Sequence, residues 1–577
     1  HGTDLYILAS WPAEQTRIVS RVTLEGTPTE MFVDGSRALV YSNVADPVPA
    51  EAKVCGDCGS YWSGPAVEPM MPGYPSEAYT FTKLTVLDLA AAPPTTLTET
   101  YLEGSYSTAR LQGSTARGIL AGGYLTPVST YPAVSPYDLT TGATVSESEF
   151  DERLAQWRDR QVAAIAATEL QDWLPRTYQR TASGLVRDPF SCTDYYVPRP
   201  GLSGDGITTI ASMDLLAVQP TLTSTAILGY AQEVYANEET LLLAQSDWQS
   251  GMTADSSSRT ILHAFGVTGE EPTWLGSGVV NGTLHDQFSL DERDGITRVA
   301  TTEEHWSSNG TPERTNRVST LEVSGGALKV LGQSAPFADG EQIYSTRFVG
   351  DTAYVVTFRQ VDPLFAIDLS NPAEPRILGS LEISGFSDYM HPLDDHHLLT
   401  IGREVDPTTG WANGLMLQIF DVTTPTAPQQ SAKYVFSGDG WSAANEDHKA
   451  FTYFADKGLL AFPYVDYSSS FSSTLQVFGV TPDTGINYLG AVDQTRLFPT
   501  TCLDPTGGYW NCDYLPEVRR GVFIEDYLYA ISYGAVTVQA VNALATPVAS
   551  VQLPEPLLSY DMGYADGGLA VPANAVP

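Results

Sequence analysis

Along most of the chain, apolar and polar residues alternate or give way to short unbroken apolar runs, and Asp, Gly, Asn and Pro cut the runs off. Thr352-Ala353-Tyr354-Val355-Val356-Thr357-Phe358 shows the form: it is too short, and too rich in β-branched and aromatic residues, for a helix, and reads as a strand. The signature Asp-x-Ser/Thr-x-Pro-x-x-Pro occurs twice, at Asp368 to Pro375 and Asp421 to Pro428, 53 residues apart. Weaker copies stand at 85–89, 212–215, 263–267 and 475–482. Each unit runs in the same order: an alternating strand, an Asp/Gly turn, an apolar strand, a loop, the Asp-bearing strand, a Pro turn, and a fourth strand ending in Gly.

Four antiparallel strands repeated every 45 to 60 residues or so describe the blades of an all-β propeller. Unit starts near Pro28, Tyr106, Ala231, His285, Gln342, Phe386, Trp441 and Arg519 give eight blades, plus or minus one. Segments 5–8 and 17–22 resemble the last two strands of a blade, and 558–561 and 569–571 the first two. The termini are therefore expected to close the ring as a composite ninth blade, with 1–577 forming a single domain. The turn aspartates Asp88, Asp214, Asp368 and Asp421 take a structural reading, since a short carboxylate accepts backbone N–H groups within a turn that Pro terminates.

Insertions interrupt the rhythm at 46–79, 124–206 and 494–517. In the second, Ser146-Glu147-Ser148-Glu149 offers a capping box ahead of Phe150, Leu154, Trp157, Val162 and Ile165. One helix over about 147–172 is expected there, lying against the propeller. A long loop on a rigid scaffold reads either as decoration or as a lid or docking element.

Charge changes the picture more than composition does. The chain has 30 Lys+Arg against 68 Asp+Glu, a formal charge of −38, which repels phosphate backbones and argues against nucleic acid as a partner. No run of apolar residues is long enough for a membrane-spanning helix. All five cysteines fall in insertions. Cys55 with Cys58, and Cys502 with Cys512, are expected as local disulfides, which leaves Cys192 odd and available to another chain. No second Cys-x-x-Cys or His pair completes a zinc site around Cys55 and Cys58. Asn281-Gly282-Thr283 matches a glycosylation acceptor.

The segments Trp11 to Glu14, Glu30 to Ser42, Cys192 to Tyr196 and Thr208 to Leu215 resemble the secreted β-propeller-domain proteins of bacteria and archaea, a mostly uncharacterised family. The resemblance runs through nearly the whole chain. It implies export, a cell-surface or extracellular setting and a propeller fold, and no catalytic set. It also implies a strand pair ahead of His1, so the chain is expected to be a processed or truncated form.

Candidate chemistry is sparse. His391 precedes Asp394-Asp395-His396-His397, enough donors for a transition metal, but the aspartates sit at a strand-to-strand turn and alternation sends His396 and His397 to opposite faces. His1 would chelate copper only with a second histidine that spacing does not name. Asp291 and Asp294 lie in an acidic turn suited to Ca²⁺ oxygen ligation, though without EF-hand spacing. Nucleophile elbows, zincin helices, P-loops and dinucleotide fingerprints are all missing from the sequence. Loop aromatics such as Tyr61-Trp62 and Tyr509-Trp510 suit protein or carbohydrate contact. The expected function is a non-enzymatic extracellular scaffold or binding module, within a larger assembly. The alternative is a secreted hydrolase of carbohydrate or peptide working at the central funnel, where only spatial separation would single out paired carboxylates.

Overall fold

A computed structural model describes residues 2–48, 80–122, 144–189, 191–204, 206–247, 258–306, 312–358, 362–383, 385–405, 412–438, 440–466, 472–494, 497 and 517–554. Eight sheets follow one another along the chain, over 27–103, 105–228, 233–281, 290–333, 342–383, 386–435, 452–493 and 518–552. Each contains a four-stranded antiparallel meander, which we letter A to D from the axis outwards, and these are blades 1 to 8. The middle strands are covered on both faces and read as mainly apolar runs: Ala353 to Val356 in blade 5 and Leu398 to Ile401 in blade 6, the latter including Thr400, are buried.

Ring closure uses a ninth position. Among the described residues the N-terminal strands Asp4–Ala9 and Arg17–Thr23 pair only with each other. One side of this ribbon packs Leu8, Ile18 and Ala13 onto Tyr529, Val536, Val538 and Val551 of blade 8, where Tyr527 donates to Glu14 at 2.7 Å. Its other side packs Leu5, Val22 and Leu24 onto Ala38, Val40 and Leu87 of blade 1. Separate apolar clusters join every successive pair of blades as well. The ribbon thus supplies half of the expected composite blade; 558–571, assigned to the other half, lie outside the described residues.

The repeat signature has a packing explanation. The C and D strands of seven blades share a register shift at one equivalent place, for instance between Ala366 and Ile367 in blade 5. At that bulge the D strand carries Gly276, Gly332 or Gly379, against which the C–D turn of the next blade is pressed. A Cβ on Gly379 would stand 2.5 Å from the carbonyl oxygen of Thr426, and one on Gly332 would stand 2.4 Å from that of Pro372. The Asp of the signature shapes the turn: Asp88, Asp214, Asp368 and Asp421 each accept the backbone N–H two residues on, at 2.9–3.0 Å. Gly in one blade and Asp-x-Ser/Thr-x-Pro in the next are two halves of one joint.

The second insertion departs from expectation. Its helix is shorter, Glu147–Ala166, capped by Ser146, which accepts from Glu149 N at 3.3 Å. It ends where the Thr168 hydroxyl donates to the Ile165 carbonyl, and a separate 3-10 turn, Leu170–Asp172, follows. Phe150, Leu154 and Trp157 are half-buried, whereas Val162 and Ile165 face solvent. The insertion also contains strands where none was expected. The hairpin Thr177–Thr181 and Gly184–Arg187 extends blade 1 beyond its D strand, and Tyr195–Tyr196 adds a parallel strand to blade 2. Arg176 fastens the hairpin by donating to Glu103 at 2.7 Å and stacking on Phe81 at 5.1 Å. Two-to-five-residue strands leave too few alternations to register as a period.

Antiparallel order places A–B and C–D turns on one face of the ring and B–C and D–A connections on the other. The insertions at 46–79 and 124–206 are B–C connections, and 494–517 is a D–A connection. The described strand ends that bound all three therefore lie on the same face. Among the described residues no helix is long and apolar enough to cross a membrane.

Candidate axial site

The A strands present their side chains to the axis, and in two blades they are irregular. Blade 4 begins with a 3-10 turn, Gln287–Ser289, capped by Asp286. In blade 7 the expected inner strand from Trp441 is reduced to a bridge between Trp441 and Val465. Two 3-10 turns follow, Ala443–Asn445 and His448–Ala450, capped by Ser442 and Asp447, and a regular strand begins only at Thr452. These turns bulge inwards, because each cap side chain satisfies amides that an A–B ladder would otherwise have paired.

The bulges meet across the axis. Gln287 accepts from Arg110 of blade 2 at 2.6 Å and lies 3.2 Å from Nδ1 of His448 in blade 7. Phe288 packs on Tyr389 of blade 6 and edge-on against His448, with centroids 5.4 and 5.2 Å apart. Arg347 of blade 5 covers Phe288 at 4.2 Å and Tyr389 at 5.3 Å, and its Nε donates to the Met390 carbonyl. Lys449 pairs with Glu30 of blade 1, which also accepts from Tyr106, and Arg520 pairs with Asp447 at 2.6 Å.

Enclosure sets the protonation of this cluster. Burial, then the neighbouring Asp286 charge, pushes Glu233 up to about 7. Burial also raises Asp286, against the amides of Phe288 and Ser289 that hold its charged form. Asp388 rises to about 6 through burial, despite the bond from Asn445. His391 is pushed down to about 4 by burial and by Arg347, and burial lowers His448. At neutral pH both histidines are neutral ring partners within an aromatic stack. Glu233, Asp286 and Asp388 are thus three carboxyls whose protonated forms burial favours there.

The residues singled out from the sequence lie elsewhere, His391 excepted. Asp394 sits in an A–B turn, where it accepts from His396 N at 2.7 Å and lies 2.9 Å from His397 Nδ1; Asp395 and His396 are exposed beside it. Asp291 pairs with Arg298 and accepts from Tyr235 at 3.2 Å, tying blade 3 to blade 4. Asp294 holds the left-handed position of its turn at φ 54°. Among the described residues no three His, Cys, Asp or Glu side chains converge as a metal-holding group. Cys192 is a free, exposed thiol, and Asn281 is exposed at the end of a D strand. Cys55, Cys58, Cys502 and Cys512, and also His1, lie outside the described residues. Glu233, Asp286, Asp388 and His448 escaped notice; the cap residues Asp286, Ser442 and Asp447 were the available signal, as they forbid a plain strand.

Such an axis, bridged from several blades, belongs to a propeller, and known sequences place it. The chain matches the beta propeller domain over residues 1–544, and it belongs to that family. An uncharacterized protein of Archaeoglobus fulgidus is 32% identical over 268 residues, covering 46% of this chain and 35% of that protein. One from Methanocaldococcus jannaschii is 34% identical over 256 residues, covering 44% and 35%. The matches thus span about a third of the length of these relatives. Among solved structures, Saccharomyces cerevisiae Sqt1 aligns with 62% of this chain and 84% of its own, at 11% identity and a TM-score of 0.35.

Proposed function

We propose that the chain is a non-enzymatic scaffold or binding module of the cell surface or extracellular space, engaging a protein or carbohydrate through the loops of its insertion face. The observation that carries this is the contrast between axis and rim. Side chains from blades 2, 4, 5, 6 and 7 bridge the funnel, while the described strand ends that bound the three long insertions lie together on one face. A rigid ring with one elaborated face suits recognition. The placement of the cysteines in those insertions, and the acidic balance, favour an oxidising extracellular setting.

Labelling of intact cells with a membrane-impermeant amine reagent, followed by native gel sizing of the labelled chain, tests the reading. Label on a chain migrating as a larger assembly is expected; an unlabelled monomer inside the cell overturns it. A second reading, a hydrolase at the funnel, draws on Glu233 and Asp286, whose environments hold one carboxylate protonated near neutrality. Turnover of an oligosaccharide or peptide panel that disappears in Glu233→Gln would establish it in place of the first.

A further inference from the structure

Between blades 2 and 3, on the face opposite the insertions, the chain forms a cleft of about 610 Å³. Its walls are the A–B turn of blade 2, the A–B turn of blade 3 and the C–D turn of blade 3. Two arginines line it, Arg110 and Arg117. Neither makes an ion pair among the described residues, whereas Arg176, Arg298 and Arg520 each hold a carboxylate. With more than two acidic residues for every basic one, the chain has no shortage of counter-charges.

Arg117 is only 5% exposed. It donates to Gln112 Oε1 at 2.7 Å and to the carbonyls of Val267 and Gly269, all uncharged, and among the described residues its Nε has no partner. Among the described residues Arg110 likewise reaches only Thr108, the Ala109 carbonyl and Gln287. A buried guanidinium without a counter-charge is destabilising, because carbonyl dipoles replace only part of the lost hydration. Burial accordingly pulls Arg117 below its ordinary value. Had these side chains served only to staple blade 2 to blade 3 through Arg117 and to blade 4 through Arg110, neutral donors would do the same work at less cost.

We propose that this cleft is a binding site for a carboxylate, in which Arg110 and Arg117 supply the counter-charge to a ligand entering between the two blades. Its volume falls in the range of small-molecule sites, larger than a bare inorganic ion needs. Glu238 and Glu270, exposed at its edge, disfavour dianions and leave a single carboxylate as the preferred charge. The proposal is separate from the reading of the insertion face and stands if that face binds nothing.

Titration calorimetry of the whole chain tests it with three probes: the monocarboxylate butyrate, the blocked peptide acetyl-Ala-Glu-Ala-amide, and inorganic phosphate. Saturable binding of butyrate or of the peptide is expected, weakened roughly tenfold or more in Arg110→Gln and in Arg117→Lys. Binding of butyrate alone identifies a free organic acid, and binding of the peptide alone an acidic segment of a protein. Phosphate as the sole bound probe overturns the proposal. So does the absence of saturable binding, or an affinity left unchanged by Arg110→Gln, which decides the matter should Arg117→Lys fail to fold.

Discussion

Replacing Glu233 by Gln removes one titrating group while keeping its size and hydrogen-bonding capacity. In the folded chain this carboxyl is raised from 4.5 to about 7, which at about 1.4 kcal/mol per pH unit is on the order of 3 kcal/mol. The sign follows from proton uptake. Near pH 4.5 and below, folded and unfolded chains both hold the proton, and the site costs nothing. As pH rises towards 7 the unfolded chain releases its proton first, so the stabilising contribution of the protonated form is progressively lost. Above about pH 7 the folded chain carries an enclosed charge beside Asp286, and the loss is complete. His391 and His263, both pushed down to about 4 by burial, favour the folded state in the opposite direction, towards higher pH. They are common to both proteins and cancel in the comparison. Urea unfolding at about pH 5 and about pH 8 should therefore show Glu233→Gln gaining on the parent by about 2.5 kcal/mol between the two, the unfolded carboxyl being largely ionised already at pH 5. An equal difference at both values would refute the enclosure of this carboxyl.

Other perturbations address the joints of the ring. Gly379→Ala should cost about 1–3 kcal/mol, read as a fall in melting temperature, because its Cβ meets the Thr426 carbonyl of blade 6. Gln287→Ala, which removes the link between Arg110 and His448, should cost about 1–2 kcal/mol and speed amide exchange across His448–Ala450. Lys83→Met removes the buried ammonium shared by Glu25 and Glu99, leaving them Arg180 as their remaining cation, and should cost about 2 kcal/mol by denaturant titration; pairing it with Glu99→Leu should restore part of that. Deletion of residues 2–23 should expose the apolar flanks of blades 8 and 1, seen as increased binding of a hydrophobic dye and an enlarged radius by small-angle scattering.

The fold was legible because the repeat forces it: each blade restates its strand periods, and four of them the Asp turn, so eight noisy signals reinforce one another. What stayed hidden was non-repeating. The short strands of the second insertion exist only because the outer edges of blades 1 and 2 offer free backbone groups to pair with, which is a property of the assembled ring. The axial site was obscured for a related reason. Phe288 and His448 are neighbours only after the chain has travelled through blades 4 to 7, and nothing in local spacing encodes that approach. By contrast, Asp394, Asp395 and His396 drew attention because they are adjacent in sequence, and they prove to be adjacent at a turn.

The joint between blades also explains why elaboration collects on one face. A C–D turn is held from both sides, by its own Asp cap and by the bulged D strand of the blade before it, so a longer turn at Thr426 would have to displace the strand at Gly379. Lengthening a B–C connection meets no such obstruction, and the entropic penalty of a longer loop grows only slowly, as the logarithm of its length. Insertions are therefore admitted where they leave the blade contacts intact, and the turn face stays short. That constraint gives the two faces different means of recognition. Variable loops can shape themselves to a macromolecular surface, while the turn face can bind only where two blades leave a gap. The cleft holding Arg110 and Arg117 is such a gap, and its unneutralised charge sits on the face that cannot grow a loop to cover it.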